Sequence, residues 1–187
     1  MDRTDTDRFI IVTGGPGSGK STLLAALAGE GFATMPEAGR GIIRAQSAID
    51  GPALPWRDPL AFAGQMLGWE LRSHAEAGEK PGIVLFDRGV PDVLGYLALC
   101  GIGAPAHMER AALRLRYRPR VFIAPPWPAI YANDTERRQD FAEAVATHDA
   151  LAATYARLGY ELVALPLASV AERVRFVRAD LAQAGRA

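Results

Sequence analysis

The chain is short of several things, and each shortage closes off a class of function. It has one cysteine, Cys100. A single thiol cannot form an internal disulfide or supply a zinc site of several thiolates. Cys100 ends the apolar run Leu97-Ala98-Leu99, which predicts a buried structural thiol rather than a nucleophile. His74, His107 and His148 show no metal-ligand spacing. No stretch approaches the roughly 18 uninterrupted apolar residues of a membrane span. The opening residues Met1-Asp2-Arg3-Thr4-Asp5 are polar and lack the apolar region of a signal peptide, so a cytoplasmic location is expected. There is no excess charge either: 21 basic and 21 acidic side chains cancel. That balance argues against a general nucleic-acid coat or a polybasic membrane anchor. Lysine is scarce, with only Lys20 and Lys80, so nearly all positive charge is arginine. Arginine suits bidentate contact with carboxylate or phosphate, although genome composition produces the same bias.

What is present is a regular alternation. The 187 residues suit one domain spanning 1–187, without linker, repeat or low-complexity segment. Phe9–Thr13, Phe32–Met35, Ile83–Phe86, Arg120–Ala124 and Glu161–Leu165 read as strands. Between them lie helical stretches at Lys20–Ala28, Ala38–Ile49, Asp58–Ala77, Pro91–Cys100, Ala106–Leu115 and Thr135–Leu158. Asp58 with Pro59 marks one helix start, and Ser169 with Glu172 three residues on forms a capping box for a last helix. Strands that are continuously apolar and alternate with helices predict an α/β fold, a parallel sheet covered on both faces.

The strongest local pattern is Gly14-Gly15-Pro16-Gly17-Ser18-Gly19-Lys20-Ser21. It fits G-x-x-x-x-G-K-[ST] between a predicted strand and a predicted helix. Glycines let backbone N–H groups curl inward around phosphate oxygens, and the helix start turns its positive dipole end toward the same anion. Lys20 would reach the terminal phosphates, and the Ser21 hydroxyl could ligate Mg²⁺.

With this loop the chain resembles P-loop NTPases, and more narrowly the AAA-type predicted ATPase and kinase family. That family includes the nicotinamide riboside kinase domain of bacterial NAD regulators; deoxynucleoside kinases are more distant relatives. The resemblance implies a three-layer fold with a five-stranded parallel sheet in the order 2-3-1-4-5. It also implies ATP and Mg²⁺ as cofactors, with Gly15, Pro16, Gly17, Ser18, Gly19, Lys20, Ser21 and Thr22 around the nucleotide. Asp87, after four apolar residues, takes the metal-holding acid position with Ser21; the alternative is a helix N-cap. Arg88 beside it would contact phosphate or the reacting oxygen. Glu37, after the second strand, would orient or deprotonate an acceptor hydroxyl; the alternative is an exposed acid in a first helical turn. Arg137 and Arg138, in a lid segment at about 126–140, would fold onto the transferring phosphoryl group. The loop Leu165-Pro166-Leu167 would cradle adenine.

Other residues carry two readings each. Arg40 and Arg44 share a helix face and either read an anion or face solvent. Trp56, Phe62, Met66, Trp69 and Tyr96 either line a substrate pocket or fill the core. The arginines from Arg110 to Arg120 read as a solvated helix end rather than a nucleic-acid site. The leading functional expectation is a kinase passing the γ-phosphoryl of ATP to a hydroxyl of a small, nucleoside- or riboside-like acceptor. The alternatives are an ATPase that switches a protein partner and a non-catalytic nucleotide-binding module. No Asn-Lys-x-Asp sequence occurs to read guanine, and the chain lacks room for the extra helical domain of a full AAA machine. No membrane or nucleic-acid partner is expected.

Overall fold

The computed structural model describes residues 6–130 and 141–184. Five strands form one parallel sheet: β1 (Phe9–Gly14), β2 (Ala33–Met35), β3 (Val84–Asp87), β4 (Arg120–Ala124) and β5 (Glu161–Ala164). Their order is β2-β3-β1-β4-β5, as the resemblance implied. The helices are α1 (Lys20–Gly29), α2 (Ala38–Ala48), α3 (Pro59–Gly78), α4 (Val90–Leu99), α5 (Ala106–Arg114), α6 (Phe141–Arg157) and α7 (Val170–Ala184). Among the described residues no helix is long and apolar enough to cross a membrane.

The central strands explain the layers. Successive side chains of a strand point to opposite faces. Phe9 and Ile11 of β1 join a core with Phe86, Val121, Met66, Leu94, Leu97 and Tyr155, covered by α3, α4 and α6. Ile10 and Val12 join a second core with Leu23, Leu27, Leu85, Phe122 and Val177, covered by α1 and α7. A central strand apolar from Phe9 to Val12 therefore fits a sheet sandwiched between helices. β5 lies at the edge and is only partly buried.

Local stop and start signals act as their chemistry suggests. Asp58 accepts a hydrogen bond from the Ala61 amide at 2.9 Å, with Pro59 in the first turn of α3. Ser169 and Glu172 form their reciprocal cap at the start of α7. Cys100 corrects an expectation: it is exposed, because α4 ends at Leu99 and the chain turns out through Gly101. The arginine run is also less solvated than expected. Arg116 stacks on the Tyr160 ring at 4.1 Å, and Arg120 pairs with Asp180 at 2.9 Å.

One core residue is out of character. Glu70 of α3 is only 3% exposed. Burial pushes its carboxyl well above the ordinary 4.5. Asp92, Asp87 and Glu37 push the same way, and Arg88 opposes them. The folded protein thus keeps a proton that the unfolded chain releases once pH rises past about 4.5. Stability from this group is fully present below that pH and is lost as pH rises toward the folded value, at up to about 1.4 kcal/mol per pH unit. Glu70→Gln removes the ionisation. Its melting temperature relative to wild type should rise as pH climbs above about 5 in thermal scans; a difference independent of pH would show that Glu70 titrates normally.

Candidate active site

The site is assembled at the carboxyl ends of β1, β2 and β3. The loop after β1 bends through Gly14, Gly17 and Gly19, which hold φ of 130°, 72° and 78°. This left-handed region is costly for residues with a Cβ. Ser18 closes the turn by donating its hydroxyl to the Gly15 carbonyl at 2.8 Å. Lys20 lies 6% exposed, with its Nζ on the Gly15 carbonyl at 2.7 Å and on Ser18 Oγ at 3.2 Å. Burial pushes its pKa down to about 8, helped by Arg88 and opposed by Asp87, Glu37 and Asp92. Ser21 and Thr22 are exposed on the first turn of α1, and Pro16 is half-buried in the loop.

Because β3 runs beside β1, with Asp87 in register with Val12, the acid at its end arrives next to the loop. Ser21 Oγ donates to Asp87 Oδ2 at 3.3 Å. The other oxygen, Oδ1, is buried and without a partner among the described residues. Asp87 is not a helix cap; Gly89 holds that position for α4. Burial raises the Asp87 pKa, with Lys20 pulling it back and Glu37 adding to the rise. An orphaned carboxylate oxygen beside a hydroxyl is a donor set of hard oxygens, which suits Mg²⁺. Ser21 and Asp87 could hold that ion together with nucleotide phosphates.

Arg88 follows with φ of 78°, one of two described non-glycine residues in the left-handed region. Such a backbone costs on the order of 1–3 kcal/mol and persists only where surroundings enforce it. Here they do. Arg88 Nε donates to Glu37 Oε1 at 3.3 Å, and its Nη1 donates to Asp92 Oδ1 at 3.2 Å. Burial would lower its pKa, but Glu37, Asp92 and Asp87 raise it overall. Glu37 precedes α2 and is not a solvated first-turn acid. Burial raises its pKa, yet Arg88, Lys20 and Arg40 outweigh burial and leave it lowered. It is therefore held as a carboxylate, an acceptor of hydrogen bonds and a weak base.

The sequence reading missed Asp92. Only 2% exposed on α4, it accepts from Arg88, the Thr13 hydroxyl, the Gly89 amide at 2.9 Å and the Tyr155 hydroxyl at 2.6 Å. It thereby ties the end of β1 and α6 to the arginine. Its one sequence signal is its place as a first-turn acid three residues after Gly89. A groove of about 460 Å³ opens beside these groups, bordered by Ser21, Asp87, Glu37, Arg40, Arg44 and Trp69. Trp69 thus lines a groove, whereas Phe62 and Met66 are core and Trp56 is exposed. The Trp69 indole lies against the Gly41 backbone, where a Cβ would meet the ring at 3.2 Å. Arg137 and Arg138, and the segment Asp134–Gln139, lie outside the described residues.

A phosphate loop after β1, an acid at the end of the adjacent β3 and the strand order 2-3-1-4-5 define a P-loop protein of the kinase and ATPase class. A family model described as an AAA domain matches residues 9–173, and the chain belongs to that family. No curated protein matches it. Among solved structures it is similar to a deoxyadenosine kinase from M. mycoides with the products dCMP and dCDP. The TM-score there is 0.70 at 12% identity, covering 94% of this chain and 99% of the other. It is also similar to thymidylate kinase from Ehrlichia chaffeensis, at TM-score 0.62 and 14% identity over 92% and 97%. NadR in complex with NR superposes at TM-score 0.62 and 18% identity, covering 86% of this chain but 44% of NadR, so the chain spans under half of that protein. Identities this low establish a shared fold.

Asp92 should be the least replaceable of these residues for stability. Asp92→Ala strands Arg88 and three further donors in the interior and should cost about 3–5 kcal/mol in urea unfolding. Asp92→Asn, which can keep part of the network, should cost clearly less.

Proposed function

We propose that the protein is a small-molecule kinase that uses ATP and Mg²⁺ and transfers the γ-phosphoryl group to a hydroxyl of a nucleoside- or riboside-like acceptor. The observation that carries this reading is Glu37. It is a carboxylate pinned by Arg88 at the edge of a groove that also reaches Ser21 and Asp87. A hydrolase needs only to position water, and a binding module needs no acid there. A fixed acceptor of hydrogen bonds beside an organic-sized cavity suits an alcohol substrate. The nucleoside and nucleotide kinases of the same fold support the choice, as does NadR with its bound NR.

In this reading the amides of Gly15 and of Gly17 to Thr22, with the Lys20 ammonium, bind the phosphates. Mg²⁺, held by Ser21 and Asp87, supplies charge neutralisation at the phosphate oxygens. Glu37 accepts the acceptor's O–H and so orients the oxygen lone pair toward the γ-phosphorus. The new P–O bond forms as the bond to the β-phosphate breaks. ADP leaves, and the hydroxyl proton passes to Glu37 or to solvent. The lowered pKa of Glu37 favours orientation over full deprotonation, which suits a loose phosphoryl-transfer transition state that asks little of a base. Arg88 balances Glu37 and lies close enough to share the charge that gathers on the transferring group. Arg137 and Arg138 would add cations there on closure. A cytoplasmic setting supplies both ATP and Mg²⁺.

The test is ADP release with Mg·ATP across a panel of nucleosides, ribosides and sugars. Turnover should require a particular acceptor. Glu37→Gln should lower kcat by about 10²–10³-fold while ATP binding persists. Hydrolysis indifferent to every acceptor but stimulated by a protein would favour the ATPase alternative, and ATP binding without turnover would favour the non-catalytic module.

A further inference from the structure

Arginine carries nearly all the positive charge of this chain, and several arginines have evident partners. Arg173 of α7, only 2% exposed, donates to the Ser18 and Pro166 carbonyls at 2.9 and 3.0 Å. Arg88 is held by Glu37 and Asp92, Arg57 pairs with Asp50 at 2.7 Å, and Arg178 pairs with Glu30 at 2.8 Å. Arg40 and Arg44 differ from these, because both line the groove beside the phosphate loop. The sequence allows them either to read an anion or to face solvent, and the groove decides between the two.

Helix α2 turns one face to the groove. Glu37, Arg40, Gly41 and Arg44 stand at i, i+3, i+4 and i+7, the spacing of a single helical stripe. Glu37 precedes the helix, and Ala38–Ala48 contains no acid. The two arginines are therefore a like-charged i, i+4 pair, which by itself works against the helix. Glu37 does not neutralise them. Its Oε1 accepts from Arg88 at 3.3 Å, and Arg40 Nε stands 3.8 Å from Oε2, beyond hydrogen-bond range. Asp87, the second acid of the groove, belongs to its phosphate end, beside Ser21. The next acids along the chain on either side, Glu30 and Asp50, hold Arg178 and Arg57. The wall supplied by the later turns of α1 is apolar, formed by Leu24, Ala25 and Ala28. Trp69 adds a flat surface, with its indole against Gly41 on the stripe between the two arginines.

We propose that the groove selects an acceptor bearing a negative group, a carboxylate or a phosphate monoester, with Arg40 and Arg44 as the residues that read it. The helical rise of about 1.5 Å per residue puts Arg40 and Arg44 about 4.5 and 10.5 Å along the axis from Glu37. The anion thus sits one to two helical turns from the hydroxyl that Glu37 accepts, and Trp69 packs against the body of the molecule between them. Guanidinium forks suit both anions, since each offers paired oxygens to parallel N–H donors. The same field repels an acceptor with a fixed positive charge, such as a riboside whose base is a pyridinium ring. The inference rests on the kinase reading for the groove as acceptor site, and adds the charge of what enters it.

Matched acceptors test it: uridine against orotidine, which adds one carboxylate, and ribose against ribose 5-phosphate. In ADP-release assays with Mg·ATP, the anionic member of at least one pair should show kcat/KM about ten-fold or more above its neutral partner. Added salt should shrink that ratio. The pair that responds identifies carboxylate or phosphate. Arg40→Gln with Arg44→Gln should bring the ratio close to one. Arg40→Lys with Arg44→Lys should keep part of it, since the charge remains and the fork is lost. Arg44→Glu should raise kcat/KM for the cationic nicotinamide riboside relative to uridine, a gain that damage to the fold would not produce. Both arginines are partly or largely exposed, so the variants should melt close to wild type. Equal kcat/KM within both pairs, or a preference untouched by the arginine substitutions, would overturn the proposal and leave the kinase reading standing. If no acceptor is turned over, the kinase reading fails and calorimetry decides the groove. Orotidine or ribose 5-phosphate should then bind about ten-fold tighter than its partner in wild type, and not in the double glutamine variant. Absence of binding by all four compounds would sink both.

Discussion

Much of the structure hangs on one carboxylate. Asp92 is surrounded by the hydroxyls of Thr13 and Tyr155, the amide of Gly89 and the guanidinium of Arg88. Two carboxylate oxygens offer about four acceptor positions, and four donors use them. Each donor belongs to a different part of the fold: the strand before the phosphate loop, the helix α6 on one face, the first turn of α4 and the end of β3. The interior is a poor solvent for any of them alone. Together they form a closed network in which satisfaction of one group depends on the placement of the others. Arg88 can hold its left-handed backbone because this network and Glu37 grip its side chain from two sides.

A neutral chain can thus contain an intensely charged centre. Lys20, Arg88, Glu37 and Asp87 sit within one another's fields and shift one another's protonation. Burial works against the charge on each of these four; the neighbouring cations outweigh it at Glu37 and keep that carboxyl ionised. The balance is local and would be reset by arrival of a polyanion with its metal. Lys20 rests on loop carbonyl oxygen until then, a placement that keeps the ammonium near where phosphate oxygens would come.

The fold was legible because its causes are local. Continuous apolar strands, glycine-rich turns and the Asp58 and Ser169 caps all act within a few residues, and each appears where the sequence placed it. The phosphate loop was legible for the same reason, and Asp87 because a strand end carries its acid to a definite place. Asp92 and Arg173 were not. Asp92 looks like any first-turn acid, and its value arises from Thr13 and Tyr155, which are distant in sequence. Arg173 shares its helix with Arg175 and Arg178, and nothing in the local pattern distinguishes the buried one. Cys100 was misread because an apolar run was extended one residue past the helix end, into a turn set by Gly101. In each case the missing information was which elements pack together.

The contact between Gly41 and Trp69 has a consequence for how such a protein could change. Glycine inside a helix is unfavourable by about 1 kcal/mol relative to alanine. An alanine at 41 would favour α2, but its methyl would stand 3.2 Å from the indole that borders the groove. The ring would have to give by a few tenths of an ångström or swing toward the opening. Helix stability and groove width therefore pull on this position in opposite directions. One base change in a codon would trade one for the other while leaving the sheet, the phosphate loop and the charged centre as they are. The groove is the most easily retuned part of a scaffold whose other working parts are locked together.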